Sequence, residues 1–260
     1  MYFVKGVHES EKIKGILMRV LVIGESCKDV FHYGDTDRLC PEAPVPVFNS
    51  LELVENGGMA MNVFCNVGAM GATPTLKTNP NWELIVKTRF VDKRTNHMFL
   101  RLDENDGGYG TADLTGIDFG TYDAVIVSDY DKGYLTTKHL EEISISHPLT
   151  FLDTKKILGP WSSGYSFVKI NNAEYKKSQH MISTKMRENL IVTQGPKGCL
   201  YRDQLYTVPL VEVKDTSGAG DTFISGLCVK FLETGDAHEA IHYANRCATA
   251  VVQKKGVAIV

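Results

Sequence analysis

Charge of one sign is almost without excess in this chain: 28 Lys and Arg stand against 31 Asp and Glu, a formal net charge of -3. A polyanion needs a basic face, so the charge gives no case for nucleic acid or an anionic membrane as partner. Cysteine is sparse. The six residues, at 27, 40, 65, 199, 228 and 247, form no C-x-x-C pair. That excludes a disulfide framework, and several thiols sit inside apolar runs, as expected in a reducing compartment. No apolar run approaches the roughly 20 residues that span a bilayer. Lys5, Glu9, Glu11, Lys12 and Lys14 break the N-terminal stretch, so no apolar leader is read there and the cytoplasm is the expected location. Internal repeats and low-complexity tracts are missing too. So are a Walker A loop and a G-x-G-x-x-G, and any ATP site must be of another kind.

What remains is an ordinary globular composition, 43% apolar and 23% charged over 260 residues, enough for a substantial core. Short apolar runs recur at Val20 to Ile23, Ala124 to Val127, Phe151-Leu152, Phe167-Val168 and Leu190 to Val192. They do not alternate, as expected of strands covered on both faces. Between them lie helical stripes: Met59, Val63, Val67 and Met70; Phe223, Leu227 and Phe231; Ala237, Ile241, Ala244 and Ala248. Alternating strands and helices predict an α/β protein with a mostly parallel sheet. Each strand runs into polar or glycine residues, among them Gly24, Asp29, Ser128, Asp129, Asp153, Asn171, Thr193 and Gly195. In open α/β sheets that edge binds ligands, although loops are polar in any case. Two stretches, Pro44 to Asn56 and Leu84 to Asp103, read instead as antiparallel strands, the second folded at a turn over Asp92 to Asn96. They suggest a small β-sheet lid, with an extra edge of the main sheet as the alternative.

The strongest chemical signal is Asp215-Thr-Ser-Gly-Ala-Gly-Asp-Thr-Phe223, just before an amphipathic helix. Gly218, Ala219 and Gly220 leave the helix N-terminal amides open as an anion site suited to a transferring phosphoryl group. Asp221 follows beside it, able to accept a proton from an attacking hydroxyl. The plainer alternative is a capped helix. Gly57 and Gly58 open the helix that carries Asn62, either to admit a ligand or as a simple junction. Asn171 and Glu174, three apart, are either Mg²⁺ and phosphate ligands or a capping box. Thr193-Gln-Gly-Pro-Lys-Gly198 is a nucleotide clasp or a tight turn. Asn245 lies on an apolar helix face and needs a partner, either a nucleobase or a backbone carbonyl. His238-Glu-Ala-Ile-His242 matches the zinc-protease pattern, but lies on the polar side of its helix with no ligand downstream, and reads as a solvated face.

Taken in order along nearly the whole chain, these residues resemble the ribokinase-like (phosphofructokinase-B) carbohydrate kinases. The resemblance implies a three-layer α/β/α fold with a β lid, as a single domain over 1–260 with lid strands from about 31–56 and 84–103. It implies ATP and Mg²⁺ as cofactors, with Asp221 as base and Gly218, Ala219 and Gly220 as the anion hole. Asp29, Gly57, Gly58 and Asn62 would hold sugar hydroxyls. Asn171 and Glu174 would serve phosphates and hydrated Mg²⁺. Thr193, Gly195, Gly198 and Asn245 would line the nucleotide site, while Asp215 and Ser217 match positions for a monovalent cation such as K⁺. A homodimer through the lid is implied as well.

Within the family, Tyr33 to Val47 with its P-E-A-P-V-P-V run, Arg101-Leu-Asp103, Ser128-Asp-Tyr-Asp-Lys-Gly133 and Asp153-Thr-Lys155 resemble the kinase domain of heptose 7-phosphate kinases. That likeness makes the substrate a sugar phosphate, with Asp129 at the substrate and Arg38, Arg101 and Lys132 as cations for its tail or as ion pairs. Other sugar kinases, or a member that binds without turnover, are the alternatives. Three features depart from the pattern. The chain is short by about one helix-strand unit between Gly71 and Leu84, with Asn79-Pro-Asn-Trp82 bridging the gap. The first loop reads Gly24-Glu25 where relatives often have Gly-Asp. Nothing resembles an adenylyltransferase, and Val257 to Val260 reads as the final strand.

Overall fold

The structure, a computed structural model, describes residues 17–260. The charged N-terminal stretch read for a leader lies outside them. Eight strands form the main sheet: β1 (Arg19–Gly24), β4 (Thr73–Lys77), β7 (Ala124–Asp129), β8 (Thr150–Thr154), β9 (Phe167–Asn171), β10 (Leu190–Thr193), β11 (Cys199–Tyr201) and β12 (Gln204–Tyr206). Their order is β12-β11-β10-β9-β8-β7-β1-β4, parallel except for the antiparallel β10-β11-β12 end. The helices are α1 (Gly58–Ala69), α2 (Thr137–Ser146), α3 (Asn172–Ser178), α4 (Thr184–Glu188), α5 (Ala219–Thr234) and α6 (Ala237–Val251).

Two cores explain why the strand runs lack alternation. In β1, Val20 and Val22 face one way and pack with Val63 and Val67 of α1, Leu227 of α5 and Ile241 of α6. Leu21 and Ile23 face the other way, among Leu140 and Ile143 of α2 and Met186 of α4. In the central strands both faces meet a helix layer, so both parities must be apolar there. The result is the ribokinase-like α/β/α arrangement.

A second sheet, ordered β3-β2-β5-β6, is built from β2 (Lys28–Leu39), β3 (Pro46–Asn56), β5 (Val86–Asp92) and β6 (Met98–Glu104). β2 and β5 run parallel; the outer pairs are antiparallel. Asp29, expected in a loop after β1, is the second residue of β2 and pairs with Lys87 and Asn56. The sheet therefore begins at residue 28, earlier than the residue 31 read from the sequence. Strand alternation sorts its two faces. Asp29, Phe31, Lys87, Arg89, Arg101 and Asp103 share one, and His32, Leu53, Phe90, Leu100 and Leu102 the other.

The link from β4 to β5 is direct. Asn79 is buried and its Oδ1 accepts the Ser26 amide at 2.8 Å, and Trp82–Leu84 makes one 3₁₀ turn.

Two readings are corrected. Met59 stands outside the regular α1 helix, at φ 42 and ψ -125, and packs in the opposite core from Val63 and Val67. The kink at Gly58-Met59 turns it away from the stripe the sequence suggested. Val257 to Val260 form no strand: Val257 instead packs on Phe31, Tyr33 and Val91 of the second sheet. The Val260 amide bonds to Asn66 Oδ1 at 3.4 Å, so the segment finds side-chain partners in place of a ladder. Among the described residues no helix is long and apolar enough to cross a membrane. All six cysteines are free, four buried and Cys40 and Cys65 half-buried.

Candidate active site

The first turn of α5 lies between two cavities. Gly218 stands before it at φ 77, a left-handed conformation that a side chain resists. A Cβ there would also come within 2.7 Å of Asn62 Nδ2. Ala219 and Gly220 line one cavity; Ser217, Gly218 and Asp221 line the other. The α5 N-terminus has no side-chain cap, which leaves its leading amides for a ligand.

Asp221 is 3% exposed. Its Oδ2 accepts from Asn62 Nδ2 and its Oδ1 from the Tyr130 hydroxyl, both at 2.8 Å. Burial pushes its pKa up to about 6, and nearby Asp153 adds to that, against the pull of Asn62, Tyr130 and Lys169. A carboxylate poised there suits a general base near neutrality. Tyr130, half-buried beside it, has its own pKa pushed far up by loss of solvent around its hydroxyl and by Asp221, so it stays a hydroxyl.

The cavity on the Asp221 side, about 260 Å³, is walled by the charged face of the second sheet. Asp29, Lys87, Arg89 and Arg101 come from that face, Gly58 and Met59 from α1, Lys132 from the loop after β7, and Val257 from the C-terminal segment. The ions are cross-braced. Asp106 takes Lys87 at 2.9 Å and Lys132 at 2.5 Å. Burial opposes its ionisation, but hydrogen bonds from Lys132, Lys87 and Tyr109 prevail and bring its pKa down to about 2. Arg89 pairs with Asp29 and stacks over Phe31 at 4.8 Å. Arg101 makes a two-pronged pair with Asp103. Four cations thus share three carboxylates, leaving a positive surplus beside the base.

The second cavity, about 200 Å³, has Thr193, Gly195, Gly198 and Asn245 in its lining with Val208, Val211 and Val213. Its apolar walls suit a flat aromatic base, and it opens onto Gly220. Asn245 Nδ2 donates to the Tyr206 carbonyl at 3.0 Å, so of the two partners expected for it the backbone is the one present.

Other expected positions lie elsewhere. Asn171 and Glu174 form the capping box of α3: Asn171 Oδ1 accepts the Ala173 and Glu174 amides, and Glu174 Oε2 accepts the Asn171 amide at 2.7 Å. Lys155 reaches Glu174 Oε1 at 2.7 Å. Neither residue lines either cavity. Gly57 faces a separate cleft with Trp82. Asp129, 1% exposed, points away from the cavities and is held by Thr154 and by Lys156 at 2.7 Å. Arg38 is exposed near the far end of β2. Asp215 closes its own loop by accepting the Ser217 and Gly256 amides. His238 and His242 are exposed, and no three His, Cys, Asp or Glu converge on a metal position among the described residues. Glu25 is buried and accepts the Tyr130 and Lys132 amides, at 2.9 and 3.2 Å, so it shapes the loop that delivers Tyr130 rather than facing the cavity.

The sequence reading missed Tyr130, Lys87, Arg89 and Val257. For Lys87 and Arg89 a signal existed: in V-K-T-R-F-V-D they are two apart on one strand face. Val257 carried none.

Residues 166–260 match the family described as pfkB family carbohydrate kinase. The bifunctional protein HldE of Helicobacter pylori strain J99 is 30% identical over an alignment covering 94% of this chain and 64% of that protein. Residues 166–260 place a PfkB carbohydrate kinase domain in this chain. HldE of Nitrobacter winogradskyi is 28% identical, covering 93% of this chain and 61% of its own length. The chain thus spans less than two thirds of these relatives. Among solved structures, ribokinase from Thermotoga maritima superposes with a TM-score of 0.68 at 17% identity, covering 93% of this chain and 95% of that one. Phosphofructokinase-2 from Escherichia coli, solved in complex with potassium, gives 0.64 at 12% identity, covering 94% and 95%. At those identities the likeness is one of fold.

Proposed function

We propose that this chain transfers the γ-phosphoryl group of ATP to a hydroxyl of a sugar phosphate, with heptose 7-phosphate as the substrate and heptose 1,7-bisphosphate as the product. One observation carries the reading: Asp221 faces the charged cavity while Gly220, one residue away, faces the apolar one, so base and anion site stand where the two meet. The sugar enters the charged cavity, where the surplus of Lys87, Arg89, Arg101 and Lys132 suits a phosphate tail. The nucleotide base enters the apolar cavity. The acceptor hydroxyl displaces or shares the Tyr130 contact on Asp221 Oδ1 and gives its proton to that carboxylate as its oxygen bonds to the γ-phosphorus, while the bond from that phosphorus to the β–γ bridging oxygen breaks and ADP leaves with the electron pair. The α5 amides then face the charge that spreads over the phosphoryl oxygens.

Mg²⁺, when bound, offsets charge on the phosphates. Glu174 already accepts from Asn171 and Lys155, which leaves it suited to a hydrated ion rather than to direct ligation. A K⁺ site at Asp215 and Ser217 is supported less, since both Asp215 oxygens already hold amides. The outer face of the second sheet exposes Leu53, Leu100 and Leu102 at 53%, 59% and 47%, and a second copy of the chain is the proposed cover.

The test is ADP release with a panel of heptose 7-phosphate, fructose 6-phosphate, fructose and ribose. Turnover led by the heptose phosphate is expected; ligand-induced thermal stabilisation without ADP would instead indicate a binding protein. Asp221→Asn should lower kcat by about 10²–10⁴.

A further inference from the structure

Lys169, on β9, was singled out by neither motif nor cavity. Its side chain is 3% exposed and its Nζ lies 2.7 Å from Asp153 Oδ2. The same ammonium rests against the first turn of α5: a Cβ at Gly220 would meet Lys169 Nζ at 2.6 Å. That is an unfavourable place for a cation, because the helix N-terminus is itself positive. Burying it there needs compensation, and Asp153 is only half of it. Asp153 Oδ1 is buried with no hydrogen-bond partner, and Lys155 Nζ stands 4.0 Å from it. Asp221 is the other buried carboxylate of this cluster.

On the cavity side Asp221 shares its walls with Lys87, Arg89, Arg101 and Lys132, which are paired with Asp106, Asp29 and Asp103. Asn62 comes from α1, Cys27 and Tyr130 from the loops after β1 and β7, and Asp153 and Lys169 from β8 and β9. Lys155 follows β8 but is drawn outward by Glu174 of α3. Lys169 is therefore the most deeply buried of these cations, set against two buried carboxylates.

We propose that Lys169 is a positioning residue for phosphoryl transfer: its ammonium, fixed by Asp153 against Gly220, is the counter-charge that lets Asp221 remain a carboxylate in a buried site. The inference rests on the kinase reading above. It makes the glycine at 220 a requirement of the lysine as well as of the anion site.

Two variants move the system in opposite directions. Lys169→Met leaves the two buried carboxylates without that ammonium, so the acidic limb of the kcat–pH profile should rise by about one pH unit or more. Asp153→Asn leaves the ammonium unopposed except by Asp221, so the limb should fall. ¹³C-carboxyl NMR titration of Asp221 without substrates should show the same opposed shifts. Because that readout needs no turnover, it separates this inference from the kinase assignment, which fails only if wild-type chain releases no ADP with any sugar. A purely structural Lys169 would lower Tm while leaving the titration in place, and that result overturns the proposal. If Lys169→Met does not fold, Asp153→Asn decides alone: an unmoved or raised Asp221 titration overturns it.

Discussion

Asp221 pays for its role in stability. Its ordinary carboxyl value is 3.8 and burial lifts it to about 6. A raised carboxyl favours the folded state while protonated, below pH 4, and loses that contribution as pH climbs through 6. At pH 8 the ionised group therefore costs about 3 kcal/mol. Asp221→Asn should raise Tm at pH 8 by several degrees, since the introduced amide can still accept from Asn62 and donate to Tyr130. The gain should shrink to nothing near pH 4. Thermal unfolding across pH checks this, and a Tm that falls equally at all pH values would mean the carboxylate is not strained. Gly218→Ala tests the neighbouring backbone. At φ 77, with Asn62 Nδ2 and Val257 in the way, it should lose about 1–3 kcal/mol and displace Asn62 from the base. Unfolding by urea gives the first figure and kcat the second effect.

At the scale of elements, most of the architecture was legible because single strands carried unambiguous patterns. The apolar runs of β1, β7 and β10 are short, unalternating and end in polar residues, and no other element fits them. The α5 start was legible for a related reason: Gly218, Ala219 and Gly220 put little bulk where a ligand needs amides. Asn62 lies outside the apolar stripe of its helix and turns to Asp221. What could not be read was which partner each polar group takes. Asn171 and Glu174 satisfy the capping pattern and the ligand pattern equally, and only coordinates show the cap and Lys155 engaged. Met59 looked helical because a stripe does not reveal a kink at its own first residue. Val257 is apolar like a strand residue, but it packs on the side chains of Phe31, Tyr33 and Val91 instead of joining a ladder. An element-level expectation follows for the α5–α6 pair, where Leu227 is fully buried. Leu227→Ala should cost about 2–5 kcal/mol with little effect on KM, measured by denaturation and steady-state kinetics.

At the scale of the molecule, one feature joins the two sheets into a device: alternation in the second sheet. The sheet that presents Leu53 and Leu100 outward presents Lys87, Arg89 and Arg101 to the cavity that ends at Asp221. A sheet covering a neutral sugar needs hydroxyl-bonding groups, not surplus cations, and that surplus is what supports the proposal of a phosphate tail on the substrate. Lys87 is the sharpest probe. It is nearly buried, and Asp106 is shared with Lys132, so removing Lys87 leaves Asp106 and Lys132 as a balanced pair and spares the fold an orphaned carboxylate. Lys87→Met should therefore raise KM for a sugar phosphate roughly tenfold or more, the loss of one charge-assisted contact of about 1.5–3 kcal/mol. KM for the same sugar without its phosphate should hardly change, and kcat should stay near the wild-type value because Asp221 and the α5 amides are untouched. Paired kinetics on phosphorylated and unphosphorylated acceptors separate the cases. Equal losses on both would make Lys87 a brace for Asp106 rather than a reader of phosphate, and would return the choice of sugar to the hydroxyl contacts around Asp29 and Asn62.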